Sequence, residues 1–411
     1  MMTDFDQDLK QSLTTQASRV PQSYELGRDA IVRARGIRRR RRVVGGVAFA
    51  AVLAIAVPVG LQVGDAVPRG DRQIAPATTE PAPPPEITGP TRIDMSLASL
   101  PLSDEPPLIP YIDGRTMVAG DERYEVDAKG DIRAAAVFNG GAHLYINRDN
   151  VVELVRITPQ GTGQLGAAAG FPLASADLRW NAYAIDDGQR GVTLTLFDSQ
   201  ESTAVSSTLT KADGVDLHAV VGGTVYFRPI LPNGTKLPLQ SWAAGEDAPT
   251  VVPGSYAATA VSSDGRLIAD LTKVTDFGTQ TCSDVVDQAA SGATLWTTCK
   301  NQVLGFGPDG LFAWAGPEYA DGYAPVEIAI LDARTGEVIR KLQGPGDIDH
   351  PVFFMAATFE DEDHLLIRAE QDGQTALVRC TVSTGECELA VPTVDGTSLE
   401  GDGSPYLLAE S

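Results

Sequence analysis

GPDGLFAWAGPEYADGYAPVEIAILDARTGEVIRKL, residues 307–342, holds the pattern from which the architecture of this chain is read. A Pro-Asp-Gly turn is followed by a short strand at Leu311–Gly316 and a second at Val326–Leu331. A polar hairpin, DARTG at 332–336, then leads into a further strand. Short runs rich in β-branched and aromatic residues, bounded by Gly, Asp and Pro, are the signature of an all-β chain. Working outward, related turns recur as SSDG at 262–265 and EDED at 360–363. Strands in the position of Leu311–Gly316 are His143–Asn147, Asn181–Ile185, Thr224–Arg228, Arg266–Asp270 and His364–Ala369. Those in the position of Val326–Leu331 are Val152–Ile157, Val192–Phe197 and Ala376–Val382, and hairpins resembling DARTG read DQAASG at 287–292 and VSTG at 382–385.

Six units emerge, near 132–170, 171–213, 214–254, 255–301, 302–346 and 347–391. Repeats of about 40–50 residues, each with four strands, match the blades of a β-propeller. One blade cannot bury both of its faces, so blades must stack in a ring. Strand material at Ile109–Val126 and Pro405–Ala409 is expected to combine into a seventh blade, joining the two ends and removing the sheet edges. The expectation is an all-β propeller over 108–411, with seven blades favoured over six or eight. A pair of β-sandwiches would not repeat the same turn chemistry at this interval, and solenoid repeats are usually shorter.

The turn at 308–310 followed by IAILDARTGEVIRKL at 328–342 resembles the blades of WD40-like and TolB-like propellers, although the GH and WD dipeptides of WD40 blades are absent. IPYIDGRTMV at 109–118 is similar to uncharacterised membrane-anchored propeller proteins of actinobacteria. The resemblance implies a fold and an extracytoplasmic address more than an activity.

The N-terminal quarter has a different texture. The chain of 411 residues has net charge −22, and that average hides a partition. Residues 1–42 carry ten basic groups against five acidic ones. Val43 to Val63 carries no charge, and residues 64–411 hold 22 basic and 49 acidic groups, a net of −27. VVGGVAFAAVLAIAVPVGLQV at 43–63 is 21 residues long, about 30 Å as a helix, the thickness of a bilayer core. Arg38, Arg39, Arg40, Arg41 and Arg42 immediately precede it. The positive-inside rule then keeps the N-terminus in the cytoplasm and sends everything after residue 63 outside. A cleaved signal peptide is the rival, but its n-region would be 42 residues long and its apolar core longer than the usual 7–15. The reading is a single-pass anchor, 43–63, in the cell membrane. A Pro-, Thr- and acid-rich linker, 64–107, is expected to act as a semi-extended spacer.

In the tail, 1–42, Phe5, Leu9 and Leu13 fall four apart, a short apolar stripe on a helix ended by Pro21. It either docks a cytoplasmic partner or lies loosely with its arginines on anionic headgroups. Such tails resemble those of actinobacterial membrane proteins related to anti-sigma factors. This one has neither His nor Cys, which a zinc-type anti-sigma domain requires.

Four cysteines complete the pattern. Cys380 and Cys387 flank one hairpin turn, and Cys282 and Cys299 flank the region of DQAASG. If each hairpin is centred on its turn, each pair faces across antiparallel strands at about 4.5–5.5 Å between Cα atoms, within disulfide reach. Bridges 282–299 and 380–387 are therefore expected, and both call for an oxidising compartment. A four-thiolate zinc site would need two blades to converge and has no CxxC pair.

Chemistry is sparse. No GxSxG elbow and no GxxxxGK[ST] loop occurs. His143, His218, His350 and His364 are scattered through the repeats. The runs 147–150 and 361–363 contain oxygen ligands suited to calcium but not the DxDxDG loop, which favours solvated turns. DQAASGATLW at 287–296 is similar to a motif of quinone-dependent propeller dehydrogenases, but it occurs once, and four tryptophans cannot build that family's girdle. An acidic body does not suit nucleic acid. No cofactor or metal is expected. What remains is a non-catalytic binding, sensing or protein-interaction module, in contact with the lipid bilayer, that takes a protein, peptide or carbohydrate ligand outside the cell. The alternatives are an anti-sigma-like regulator acting through the tail, and a propeller hydrolase or lyase using carboxylates in its funnel.

Overall fold

The computed structural model describes residues 91–149, 151–188, 191–274, 281–318, 324–346, 349–396 and 405–409. The expected tail, the expected membrane helix with Arg38–Arg42, and most of the expected linker lie outside the described residues. Among the described residues no helix is long and apolar enough to cross a membrane.

The first element, β1 (Thr91–Asp94), precedes the ring. Blade I holds β2 (Tyr111–Asp113), β3 (Thr116–Ala119) and β4 (Glu122–Glu125). Blade II runs β5 (Asp131–Phe138), β6 (Gly141–Arg148), β7 (Val151–Thr158) and β8 (Gly161–Ala167). Blade III runs β9 (Leu173–Ala174), β10 (Trp180–Asp186), β11 (Val192–Asp198) and β12 (Thr203–Leu209). Blade IV holds β13 (Gly214–Val221), β14 (Thr224–Ile230), β15 (Gln240–Ala243) and β16 (Thr250–Val251). Blade V holds β17 (Ala258–Val261), β18 (Leu267–Val274), β19 (Thr281–Asp287) and β20 (Ala293–Thr298). Blade VI holds β21 (Asn301–Phe306), β22 (Phe312–Pro317), β23 (Glu327–Asp332) and β24 (Val338–Gln343). Blade VII holds β25 (Phe353–Phe359), β26 (His364–Gln371), β27 (Gln374–Thr381) and β28 (Cys387–Asp395). The last strand, β29 (Tyr406–Leu408), pairs antiparallel with β2 and completes blade I as its innermost strand.

Residues 111–408 thus form a seven-bladed β-propeller closed by the pairing of β29 with β2, as the repeat predicts. The innermost strands meet around the axis. The middle strands are covered on both faces, so β26 and β27 read as near-continuous apolar runs, HLLIRAEQ and QTALVRCT. Apolar clusters fill six of the seven interfaces between neighbouring blades. Blades II and III meet differently, through Phe138, His143, Tyr183 and Phe197, with the Arg156 guanidinium over two of the rings.

Five inner strands share one irregularity. In β5, β13, β17, β21 and β25 a single residue is inserted relative to the partner strand: Arg133, His218, Thr259, Leu304 and Met355. A bulge bends its strand and increases the local twist. Placed at the inner strand of five of the seven blades, it curves the inner wall of the ring.

One boundary is corrected. The linker expected to extend to residue 107 stops short of it, because residues 91–107 pack on the propeller. Strand β1 adds in parallel to β24 and makes blade VI five-stranded. Met95 and Leu97 are buried in the interface of blades VI and VII. Ser103 N donates to Leu389 O at 2.8 Å, and Leu389 N to Pro101 O at 2.7 Å. This strap crosses the outside of blade VII before the chain enters blade I. Burial of Leu97 alone is worth about 1.5–3 kcal/mol.

Candidate functional site at the axis

The turns between first and second strands follow one design. In blade III, Asp177 Oδ1 accepts Ser175 Oγ at 2.5 Å and Arg179 N at 3.1 Å. In blade V, Asp264 Oδ1 accepts Ser262 Oγ at 2.6 Å and Arg266 N at 3.0 Å. Asp309 Oδ1 in blade VI accepts Leu311 N at 2.9 Å. In blade VII, Asp361 Oδ1 accepts the amides of Asp363 and His364, both at 2.8 Å. The carboxylates supply acceptors that the reversing backbone lacks, which is why Asp recurs at these positions. Two turns add an ion pair to the end of the third strand: Arg179 to Asp198 at 2.7 Å and Arg266 to Asp287 at 2.8 Å. Each guanidinium holds its aspartate below the usual carboxylate range.

Where the turns of blades III, VI and VII converge, a cavity of about 620 Å³ opens on the axis. Its walls come from four blades: Ala174, Ala176 and Leu178 of III, Pro308 of VI, Phe359 to His364 of VII, and Ile109, Pro110 and Ala409 at the seam of I. The seam is non-covalent and includes the bond from Ala409 N to Pro110 O at 3.1 Å. The walls are apolar, and every ionisable group on them belongs to the run Glu360-Asp361-Glu362-Asp363-His364.

These groups have different roles. Glu360 is fully buried and paired with Arg379, whose Nε lies 2.5 Å from Oε2. Its other oxygen accepts Leu108 N at 2.7 Å. Arg379 also donates to Ser103 Oγ, to the carbonyls of Glu105 and Pro106, and to Glu388. One guanidinium therefore joins the cavity wall to the strap. Asp361 receives His364 Nδ1 at 2.8 Å in addition to its two amides. Burial pushes its carboxyl upward, but these donors outweigh burial and leave it below the usual range. Asp363 holds the next turn through Ser383 N at 2.7 Å and Ser383 Oγ. Glu362 is exposed and has no hydrogen-bond or ion-pair partner among the described residues.

The run 361–363, considered above for calcium, is thus a pair of turn caps flanking one free carboxylate. Among the described residues no group of three or more His, Cys, Asp or Glu is arranged to hold a metal ion. The four histidines are not brought together. His143 is buried, and its Nδ1 lies 2.6 Å from Asn181 Oδ1. Asn181 Nδ2 donates to Ala136 O, so Oδ1 is the acceptor and the imidazole proton sits on Nδ1. Burial lowers this imidazole to about 4, with Arg156 adding to the effect and the Asn181 bond opposing it. His218, at its bulge, is likewise lowered by burial to about 4. His350 Nδ1 lies 2.8 Å from Asp372 on the surface.

Both cysteine pairs join as the hairpin register predicts. Cys380 faces Cys387 across β27 and β28, with Cα atoms 4.2 Å apart. Cys282 in β19 bonds Cys299, just past β20, with Cα atoms 4.0 Å apart. The strap and its arginine hub were not read from the sequence. A signal for the hub existed: Arg379 interrupts an otherwise apolar strand covered on both faces, and a buried charge requires a partner.

No family model matches this sequence, and no curated protein does. Among solved structures, the protein lmo1340 of Listeria monocytogenes EGD-e aligns at 9% identity and a TM-score of 0.44, over 66% of this chain and 88% of its own. The WD40 domain of Toxoplasma gondii coronin aligns at 13% identity and 0.41, over 73% of this chain and 78% of its own. The putative TolB of Agrobacterium tumefaciens aligns at 10% identity and 0.37, over 73% and 96%.

Proposed function

We propose that this chain is a membrane-tethered binding and sensing module that uses the axial cavity as its recognition surface and carries out no catalysis. The observation that carries the reading is the cavity itself. Its volume lies within the range of about 300–1,000 Å³ typical of ligand sites, and its walls converge from four blades. Support for a non-catalytic role comes from its acids, since Glu360, Asp361 and Asp363 are engaged in holding the turn and the strap. Support for the address comes from the uncharged stretch 43–63 behind Arg38–Arg42 and from two disulfides, which persist in oxidising compartments.

The topology is tested on the full chain in sealed, right-side-out membrane vesicles. External protease should digest the propeller while an epitope placed in residues 1–42 stays protected; the opposite pattern overturns the orientation. A soluble chain recovered without membranes overturns the tether. Turnover of a glycoside, ester or peptide substrate by the purified protein, lost on Glu362→Gln, would replace the binding reading with a hydrolytic one.

A further inference from the structure

We infer that the axial cavity accepts the side chain of a lysine or arginine presented by an extended polypeptide, an assignment that rests on the cavity being the recognition surface. Two observations choose among protein, peptide and carbohydrate ligands, and a third says what binding should do to the fold.

The first is the chemistry of the walls. Ile109, Pro110, Ala174, Leu178, Pro308 and Ala409 offer an apolar sleeve, and no Ser, Thr, Asn, Gln, Tyr or Trp lines the cavity. A sugar would find side-chain partners only in the run 360–364, and hydroxyls set against the sleeve would lose water unpaired, a cost of about 1–3 kcal/mol for each such group. A lysine or arginine stem is apolar along three or four methylenes and charged at its tip, which suits an apolar wall with an anionic rim.

The second is the sign of the charge. No Lys or Arg lines the cavity, whereas the exposed Glu362 lines it without a partner among the described residues, flanked in sequence by Asp361 and Asp363. The Glu360 charge is already matched by Arg379 and does not count. Asp361 is already engaged by His364 and two amides and Asp363 by Ser383, so an anionic ligand would meet uncompensated repulsion from Glu362, reinforced by the net −27 of residues 64–411.

The third is the position of the seam. Ile109, Pro110 and Ala409 are the two ends of the propeller meeting in blade I, and they form one wall of the cavity. An occupant touches both sides of the junction that closes the ring. Binding should therefore stabilise the closed form, since a ligand that binds only the native state raises its stability by mass action.

The test uses the full chain in detergent micelles with two fluorescent capped pentapeptides, Ala-Ala-Lys-Ala-Ala and its Nε-acetyl-lysine counterpart. Fluorescence anisotropy should show the charged peptide binding about fivefold or more tighter, and weakening severalfold between 50 and 500 mM NaCl. Glu362→Lys should reduce its affinity about tenfold. Ala176→Trp, which fills the cavity from an exposed position, should abolish binding without lowering the melting temperature. The charged peptide should raise that temperature in the parent protein and not in Ala176→Trp. Equal binding of the two peptides overturns the cationic assignment while leaving the axial site in place. Tight binding of the charged peptide that Ala176→Trp leaves intact overturns the axial site. Binding of neither peptide overturns both.

Discussion

Arg379 holds Glu360 through two nitrogens, Nε at 2.5 Å and Nη2 at 3.3 Å, with the glutamate wholly shielded from water and the arginine nearly so. The pair sits where blade VII, the axial cavity and the strap meet, so its loss should be felt in all three.

Arg379→Ala is expected to cost about 3–5 kcal/mol, because it leaves a buried carboxylate without its partner. Replacing both members with apolar residues, Arg379→Met with Glu360→Leu, should cost markedly less. Urea unfolding of the three proteins measures the difference. The single variant should also release residues 101–106, seen as faster proteolysis of that segment. An Arg379→Ala protein as stable as the parent would remove the hub from the account.

Intact protein should present no free thiol when denatured without reductant. The bridges close loops of different length, with sequence separations of 17 and 7. On the chain-entropy model, removing Cys282–Cys299 costs about 3 kcal/mol and removing Cys380–Cys387 about 2 kcal/mol. Double alanine variants of each pair, compared by thermal melting, should rank in that order.

Acid should weaken the fold before its carboxylates titrate. The native state keeps His143 and His218 neutral down to about pH 4, while the unfolded chain protonates them near pH 6.5. Between those limits the unfolded state binds more protons, so stability falls with pH by about 1.4 kcal/mol per unit for each histidine. Below pH 4 this contribution levels off. His143→Gln keeps a side-chain donor and loses the titration, and should halve the slope of urea midpoint against pH between 6.5 and 4.5. An unchanged slope would show that His143 does not carry it.

Gly336 and Gly310 both lie in the left-handed region, at φ +74° and +66°. A Cβ at Gly336 would meet the Trp296 ring at 2.7 Å, whereas one at Gly310 meets nothing within 4 Å. Gly310→Ala should therefore cost only the backbone term, about 1–2 kcal/mol. Gly336→Ala should cost more and should shift the tryptophan emission, since Trp296 is held by a 3.0 Å bond from Nε1 to Ala333 O. Equal costs for the two variants would mean that the ring moves aside freely.

The ring was legible because it is local and repeated. Each Asp turn announces the strand after it, and hairpin register alone places Cys380 opposite Cys387. Seven blades followed from six complete units plus a remainder at each end. The strap was illegible for the opposite reason. TRID at 91–94 is four residues in a proline-rich stretch, and its partner, Arg340 to Gln343, lies about 250 residues away in a parallel pairing that no turn announces. The site was half legible. The acidic run 360–363 is plain in the sequence, but which of its carboxylates remains free depends on Leu108, Ser383 and Arg379, contacts that only the closed ring creates.

Blade I sets a timetable for synthesis. Tyr111 pairs with Leu408, so an early strand waits for one made almost 300 residues later. At roughly 5–20 residues per second, the wait is on the order of 15 to 60 seconds. Throughout that interval β2 offers an unpaired edge to any passing strand. A ribosome stalled before residue 406 would leave a ring that cannot lock, and whatever escorts the nascent chain must shield that edge until β29 arrives.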